Sequence, residues 1–469
     1  MTIIAVVLGY FALLFAFSRW TGQKATNATF YRADRQSPWY MVAFGMVGAS
    51  ISGVTFVSVP GMVLKTQMTY LQMCMGFVVG YALVAFVLLP LYYRLNLTSI
   101  YSFLNQRLGR RSYKTGASFF LLSKMLGAAV RFYVVCIILQ RFVFEPLDIP
   151  FAVTAVLLVS LIWLYTRKGG IKTLVWTDSL QTLCLFTALL LIIYKVASDI
   201  HLTMGDAVDA IRNSELSQVF VFDDWMSRQY FWKQFMSGVF IVLVMTGVDQ
   251  DMMQKNLTCK TLRGAQKDMC SYGIAFLPAN LLFLSLGVLL TIFVQQSGME
   301  LPVNGDDLLP MYISQAGTVV LLLFILGIVA ASFSSADSAL TSLTTIFCVD
   351  IKERVDDEKL RKRIHVIMCG LFVLFILLFR AVNSTSLIDA VYIIASYTYG
   401  PLLGLFAFGL LVKRSVNDAL VPYIAVASPL LCYAIDWGVG QSTGYHFGYE
   451  LLMMNGLLTF LGFMLTARR

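Results

Sequence analysis

Charged side chains are scarce in this chain: Asp, Glu, Lys and Arg make up 13% of its 469 residues, against 58% hydrophobic ones. A polypeptide so poor in charge does not cover an ordinary globular surface, which excludes a typical soluble domain of this length. Histidine is scarcer still. His201, His365 and His446 are scattered through expected loops or span ends, so no cluster supports a metal site or a membrane-embedded enzyme built on a nucleophile and base. The eight cysteines form no CxxC and no close pair, and they read as packing residues. No low-complexity tract or repeat is visible, and no small-residue cleavage pattern follows the first apolar run, so residues 2–18 read as a retained helix. The largest loop, about residues 198–230, has room for a short surface helix but not for a soluble domain. One membrane domain over residues 1–469 is expected.

What the chain has in abundance is apolar runs long enough to cross a hydrocarbon core of roughly 30 Å. Spans are expected at about 2–18, 38–64, 68–93, 115–142, 150–166, 174–197, 230–248, 272–294, 317–346, 364–382, 387–411, 418–437 and 448–466. This makes an all-α polytopic membrane protein with about 13 transmembrane helices. Most of the 35 Lys and Arg then fall on one side: Arg19, Lys24, Arg32 and Arg35, the group from Arg94 to Lys114, then Arg167, Lys168 and Lys172, then Lys255, Lys260, Arg263 and Lys267, and later the groups from Lys352 to Arg363 and up to Arg469. Basic residues stay cytoplasmic, so the N-terminus is expected outside and the C-terminus inside. The formal net charge of +9 needs no nucleic-acid partner, because solvated topology signals account for it.

Polar groups inside the apolar runs carry the functional information. In the second span, Gly45, Gly48, Gly53, Pro60 and Gly61 interrupt a segment that also holds Ser50, Ser52 and Thr55. A helix broken there frees backbone carbonyls to coordinate a cation; a glycine-rich packing helix with a proline kink is the alternative. In the ninth span, Ser334, Ser335 and Ser338 share one helical face with Ala331, beside Asp337. That face suits an ion, or else close helix packing with hydroxyls bonded back to their own backbone. Arg131 lies too deep in the fourth span to snorkel and needs an anionic ligand or an internal carboxylate. Lys124 is placed to snorkel toward the cytoplasm. Asp178, opening the sixth span, is a helix cap or a cation ligand. If Asp178 and Asp337 approach one another, both stay ionised only with a cation between them, an arrangement that suits ion or proton coupling.

These residues resemble the sodium/solute symporter family over nearly the whole chain, with pocket residues similar to those of its sodium/sialic-acid symporters. The resemblance rests on Gly48-Ala-Ser-Ile-Ser-Gly-Val-Thr-Phe56, Gly169-Gly-Ile-Lys-Thr-Leu-Val-Trp-Thr-Asp-Ser-Leu-Gln-Thr182, Gly247-Val-Asp-Gln-Asp-Met-Met-Gln-Lys255 and Ala331-Ser-Phe-Ser-Ser-Ala-Asp-Ser-Ala-Leu-Thr-Ser342, which occur in that order. It implies a LeuT-like fold: a ten-helix core over about residues 38–411 in two inverted five-helix repeats, with one extra helix before it (2–18) and two after it (418–466). It also implies a sodium-coupled secondary symporter that imports a small organic solute, with a carboxylated sugar such as sialic acid as the candidate. The implied coupling ion is Na+, at Gly48, Ile51, Ala331, Ser334 and Ser335. A second cation site is implied at Asp178, Ser334, Asp337 and Ser338. Asp337 stands where the family members compared carry a hydroxyl, which leaves open whether a proton replaces one sodium. The implied solute residues are Ser52, Thr55 and Arg131, with Gln72 as a nearby candidate. A proton-coupled transporter of the same fold and a non-transporting solute receptor are the alternatives. The expected setting is the lipid bilayer of the cell membrane, the inner membrane in a Gram-negative bacterium, with no obligatory protein partner evident.

Overall fold

The computed structural model describes residues 2–22, 26–382 and 387–468; Lys24 and Arg469 lie outside the described residues. In chain order its apolar helices are α1 (Thr2–Thr21), α2 (Trp39–Ser50), α3 (Gly53–Thr66), α4 (Tyr70–Arg94), α5 (Arg110–Leu147), α6 (Phe151–Thr166), α7 (Ile171–Asp199), α8 (Phe231–Gly247), α9 (Gln250–Asn256), α10 (Leu262–Gln296), α11 (Thr318–Ile351), α12 (Glu358–Ala381), α13 (Asp389–Leu411), α14 (Val421–Thr443) and α15 (Leu451–Thr466). Eight of these, α4, α5, α7, α10, α11, α12, α13 and α14, are each long and apolar enough to cross a bilayer. The pairs α2–α3 and α8–α9, bent by 61° and 69°, bring the candidate spans to ten if each pair is one span, and α1, α6 and α15 are shorter apolar helices.

The first bend lies at Ile51 and Ser52, both in extended backbone, rather than at Pro60. Pro60 sits inside α3; the conformations of Ile51 and Ser52, not a proline ring, end the hydrogen-bond ladder. Tight packing then fixes the broken pair. A Cβ on Gly48 would fall 1.9 Å from Thr182 Oγ1 on α7, and one on Gly53 would fall 2.2 Å from Ser332 Oγ on α11. Only glycine allows backbones this close. The broken pair therefore lies against α7, α10 and α11 at the centre of the fold.

The second bend was not foreseen from the sequence. The expected span at 230–248 stopped where Asp249-Gln-Asp251 broke the apolar run, yet the chain continues as the short helix α9. Asp249 explains the restart, because its carboxylate accepts from the amides of Asp251 and Met252 and so caps α9. The largest loop carries a short helix, Met204–Arg212, opened by a reciprocal Thr203–Asp206 cap. His365 departs from its expected place at a span end. It is buried, with one ring nitrogen 3.0 Å from Thr166 Oγ1 and the other 2.9 Å from Thr344 Oγ1, so both ring nitrogens are spent on packing.

Candidate functional site

Every residue of α11 from Gly327 to Ile346 is buried, so its hydroxyls face protein rather than lipid. They divide between the two readings open at the sequence level. Ser342, Thr344 and Thr345 bond back to the carbonyls of Ala339, Leu340 and Thr341, which is the packing role. Ser334 does not: its hydroxyl donates to Asp178 Oδ1 on α7 at 2.7 Å. A hydroxyl whose hydrogen is given to a carboxylate keeps its lone pairs for another partner.

The backbone at the bend offers such partners. Among the described residues no backbone amide bonds to the carbonyls of Gly48 or Ile51. Buried carbonyls without partners are costly unless something else meets them. Gly48, Ile51, Ala331, Ser334 and Ser335 are all buried, the first two at the end of α2 and the others on α11, which packs against it. The Ser335 hydroxyl makes no hydrogen bond among the described residues. Hydroxyl and carbonyl oxygens with free lone pairs are the ligand chemistry of a hard cation, so these residues fit sodium.

At the expected second cation site, the structure supplies a group the sequence reading had placed elsewhere. Lys255, counted there among cytoplasmic basic residues, is 1% exposed, and its Nζ lies 2.7 Å from Asp178 Oδ2. The error has a clear source: with α9 unrecognised, Lys255 fell beyond the end of its span. Neither Nζ nor Oδ2 completes a hydrogen bond of good geometry among the described residues, so the contact is an ion pair. Asp337 accepts from the Tyr165 hydroxyl at 2.7 Å, and its other oxygen accepts from Ser338 at 3.4 Å.

A cavity opens beside the bend, lined by Ser52 and Thr55 of the broken pair, Lys124 and Arg131 of α5, Asp249, and Tyr399 of α13. Arg131 is half-buried and makes no hydrogen bond or ion pair among the described residues. Lys124 does not snorkel. It is buried, with Nζ 3.2 Å from Asp249 and 2.7 Å from Asp251, while the Tyr399 hydroxyl donates to Asp249 at 2.6 Å. The unseen bend is again the reason, because it carries two carboxylates to the depth of Lys124. Gln72 is not brought to this cavity. It is fully buried, and its amide donates to the Gln229 carbonyl and accepts from the Val221 amide, pinning the long loop between α7 and α8 instead. The arrangement presents one unpaired guanidinium on a cavity wall with hydroxyls of the broken pair, which is chemistry suited to an anion.

The chain is similar to known transporters. The sodium/sialic acid symporter NanT of Aliivibrio fischeri is 26% identical over 425 residues, covering 86% of this chain and 81% of that protein. The sodium/sialic acid symporter SiaT of Proteus mirabilis is 23% identical over 445 residues, covering 90% and 87%. The fold matches a substrate-bound, outward-open Na+-coupled sialic acid symporter with a TM-score of 0.85 at 20% identity, over 100% of this chain and 99% of that one. The sodium:solute symporter family model matches residues 30–423, and the chain belongs to that family, as a sodium-coupled secondary transporter and not an enzyme.

Proposed function

We propose that the chain imports a small carboxylated solute together with sodium, with sialic acid as the first candidate. The solute class rests on one observation: Arg131, inside the membrane and on the cavity wall with Ser52 and Thr55, has no ion pair of its own among the described residues. A guanidinium held there gains most from a planar carboxylate, which it meets with two parallel hydrogen bonds. The relatives' sialic-acid specificity favours the same class. Sodium binds at Gly48, Ile51, Ala331, Ser334 and Ser335, where the free carbonyls at the bend support it.

On this reading all the apolar helices cross the bilayer of the cell membrane as a single domain, with the N-terminus outside and the C-terminus inside. The helices from α2 to α13 form two inverted repeats, α1 precedes them and α14 and α15 follow. Sodium ties the bend to α11 and favours an outward-open state. Solute binding then closes the outer side, and inward opening loosens the sodium site and releases both. The test is uptake of labelled sialic acid into proteoliposomes with and without an inward sodium gradient, with competition by carboxylates, amino acids and neutral sugars. Sodium-driven uptake blocked by carboxylates supports the reading. Sodium-driven uptake of a neutral solute alone discards the carboxylate, and uptake indifferent to sodium discards the coupling.

A further inference from the structure

Asp178 and Asp337 are fully buried carboxylates served by α11 hydroxyls: Ser334 bonds to the first and Ser338 to the second. Two such charges cannot stand without compensation, since desolvation costs several kcal/mol per ion. A mobile cation could supply it, but the structure supplies a covalently attached one. Lys255 reaches Asp178 from α9, and α9 is itself held in place. The neighbouring Gln254 amide donates to the Tyr31 carbonyl at 2.9 Å and to Thr345 Oγ1 at 3.1 Å, so the helix that carries the ammonium is pinned on two sides.

We propose that Lys255 is a tethered counter-ion standing in for a second sodium, so that the protein binds a single coupling sodium, at Gly48, Ile51, Ala331, Ser334 and Ser335. This rests on the sodium site of the preceding reading. Both oxygens of Asp178 are engaged, Oδ1 by the Ser334 hydroxyl and Oδ2 by Lys255. What is left for an ion there is Asp337 and the Ser338 hydroxyl, too few ligands for a hard cation without water. Ser334 belongs to both expected cation sites, and giving its hydrogen to Asp178 leaves its lone pairs for the one at the bend.

Charge counting gives the same answer. Asp178 and Asp337 against Lys255 leave one negative charge, which one sodium neutralises; a second would leave the buried cluster positive. The aspartates of the adjoining cavity are paired separately, Asp249 and Asp251 both with Lys124, which leaves Arg131 to the solute. A tethered ammonium also competes at a high effective concentration.

The experiment is saturation binding of radioactive sodium to the purified full-length protein in the absence of solute. The wild type is expected to bind one sodium per chain, with a Hill coefficient near one. Lys255→Arg, which keeps the charge, should do the same, whereas Lys255→Gln should bind two with a steeper curve. Two sodium ions on the wild type overturn the inference and leave sodium coupling standing. One sodium on a folded Lys255→Gln, at wild-type affinity, also overturns it. No saturable sodium binding overturns the sodium site and this inference together. The wild-type count decides the question even if Lys255→Gln does not fold.

Discussion

Replacing Arg131 with glutamine separates solute recognition from folding, because this guanidinium makes no hydrogen bond or ion pair among the described residues, although it lines the cavity. Most membrane-embedded arginines are pinned by carboxylates, and their removal collapses a network. Here the neighbouring carboxylates, Asp249 and Asp251, are already paired with Lys124. The loss should therefore fall on the solute. A bidentate guanidinium–carboxylate contact contributes roughly 2–3 kcal/mol, so its removal should raise KM about 30- to 150-fold at 1.4 kcal/mol per factor of ten. Sodium affinity without solute should stay unchanged. Thermal stability should hold or rise slightly, since an unpaired, half-buried charge is removed. Arg131→Lys should recover only part of the affinity, because an ammonium lacks the planar fork. The assay is the concentration dependence of labelled sialic acid uptake at saturating sodium, read beside thermal unfolding in detergent. An unchanged KM in a folded Arg131→Gln refutes the assignment.

Ser334→Ala removes a hydroxyl of the proposed sodium site and strands Asp178 Oδ1; the sodium concentration for half-maximal uptake should rise about tenfold, equivalent to ~1.4 kcal/mol. Equal sodium dependence in the variant and the wild type would count against the site. Gly48→Ala places a Cβ 1.9 Å from Thr182 Oγ1 and 2.8 Å from Thr182 Cβ, and should cost about 1–3 kcal/mol in unfolding experiments. Adding Thr182→Ala should restore part of that, and a fully stable Gly48→Ala would contradict the close packing of α2 on α7.

The legible parts of this protein were those written in local pattern. Apolar runs located the helices because lipid and core both demand them, and glycines flanked by hydroxyls signalled the bend in the second span. What local pattern hid was long-range charge pairing. Asp249, Asp251 and Lys255 looked like the polar end of a span, and the sequence has no mark for a helix that resumes after a capping aspartate. Once α9 exists, its Asp251–Lys255 spacing of i,i+4 makes it a charged helix inside the protein, and such a helix must find partners. Lys124 and Asp178 are those partners, 127 and 77 residues earlier in the chain. The trace that could have revealed them is the excess of ionisable residues at membrane depth: Lys124, Asp178, Asp249, Asp251, Lys255 and Asp337 become a single problem of charge balance. Gln72 failed for a related reason, since an amide in a span serves a loop as readily as a ligand, and only contacts distinguish the two.

Asp178 joins the two halves of this argument, because one of its oxygens orients the Ser334 hydroxyl and the other holds Lys255. On the proposed sodium site it is therefore a positioning residue rather than a ligand. Asp178→Asn keeps an oxygen that can accept from Ser334 but leaves Lys255 as an unpaired buried charge. Breaking a buried pair from one side costs roughly 3–5 kcal/mol, so the single variant should be severely destabilised. Removing both charges with Asp178→Asn and Lys255→Gln should recover most of that stability, and the double variant should still bind one sodium because its hydroxyl and carbonyl ligands are intact. Thermal unfolding of the three proteins measures the first part, and radioactive sodium binding the second. A double variant as unstable as the single would show that Lys255 is not the partner whose charge matters. A stable double variant without sodium binding would make Asp178 itself a ligand.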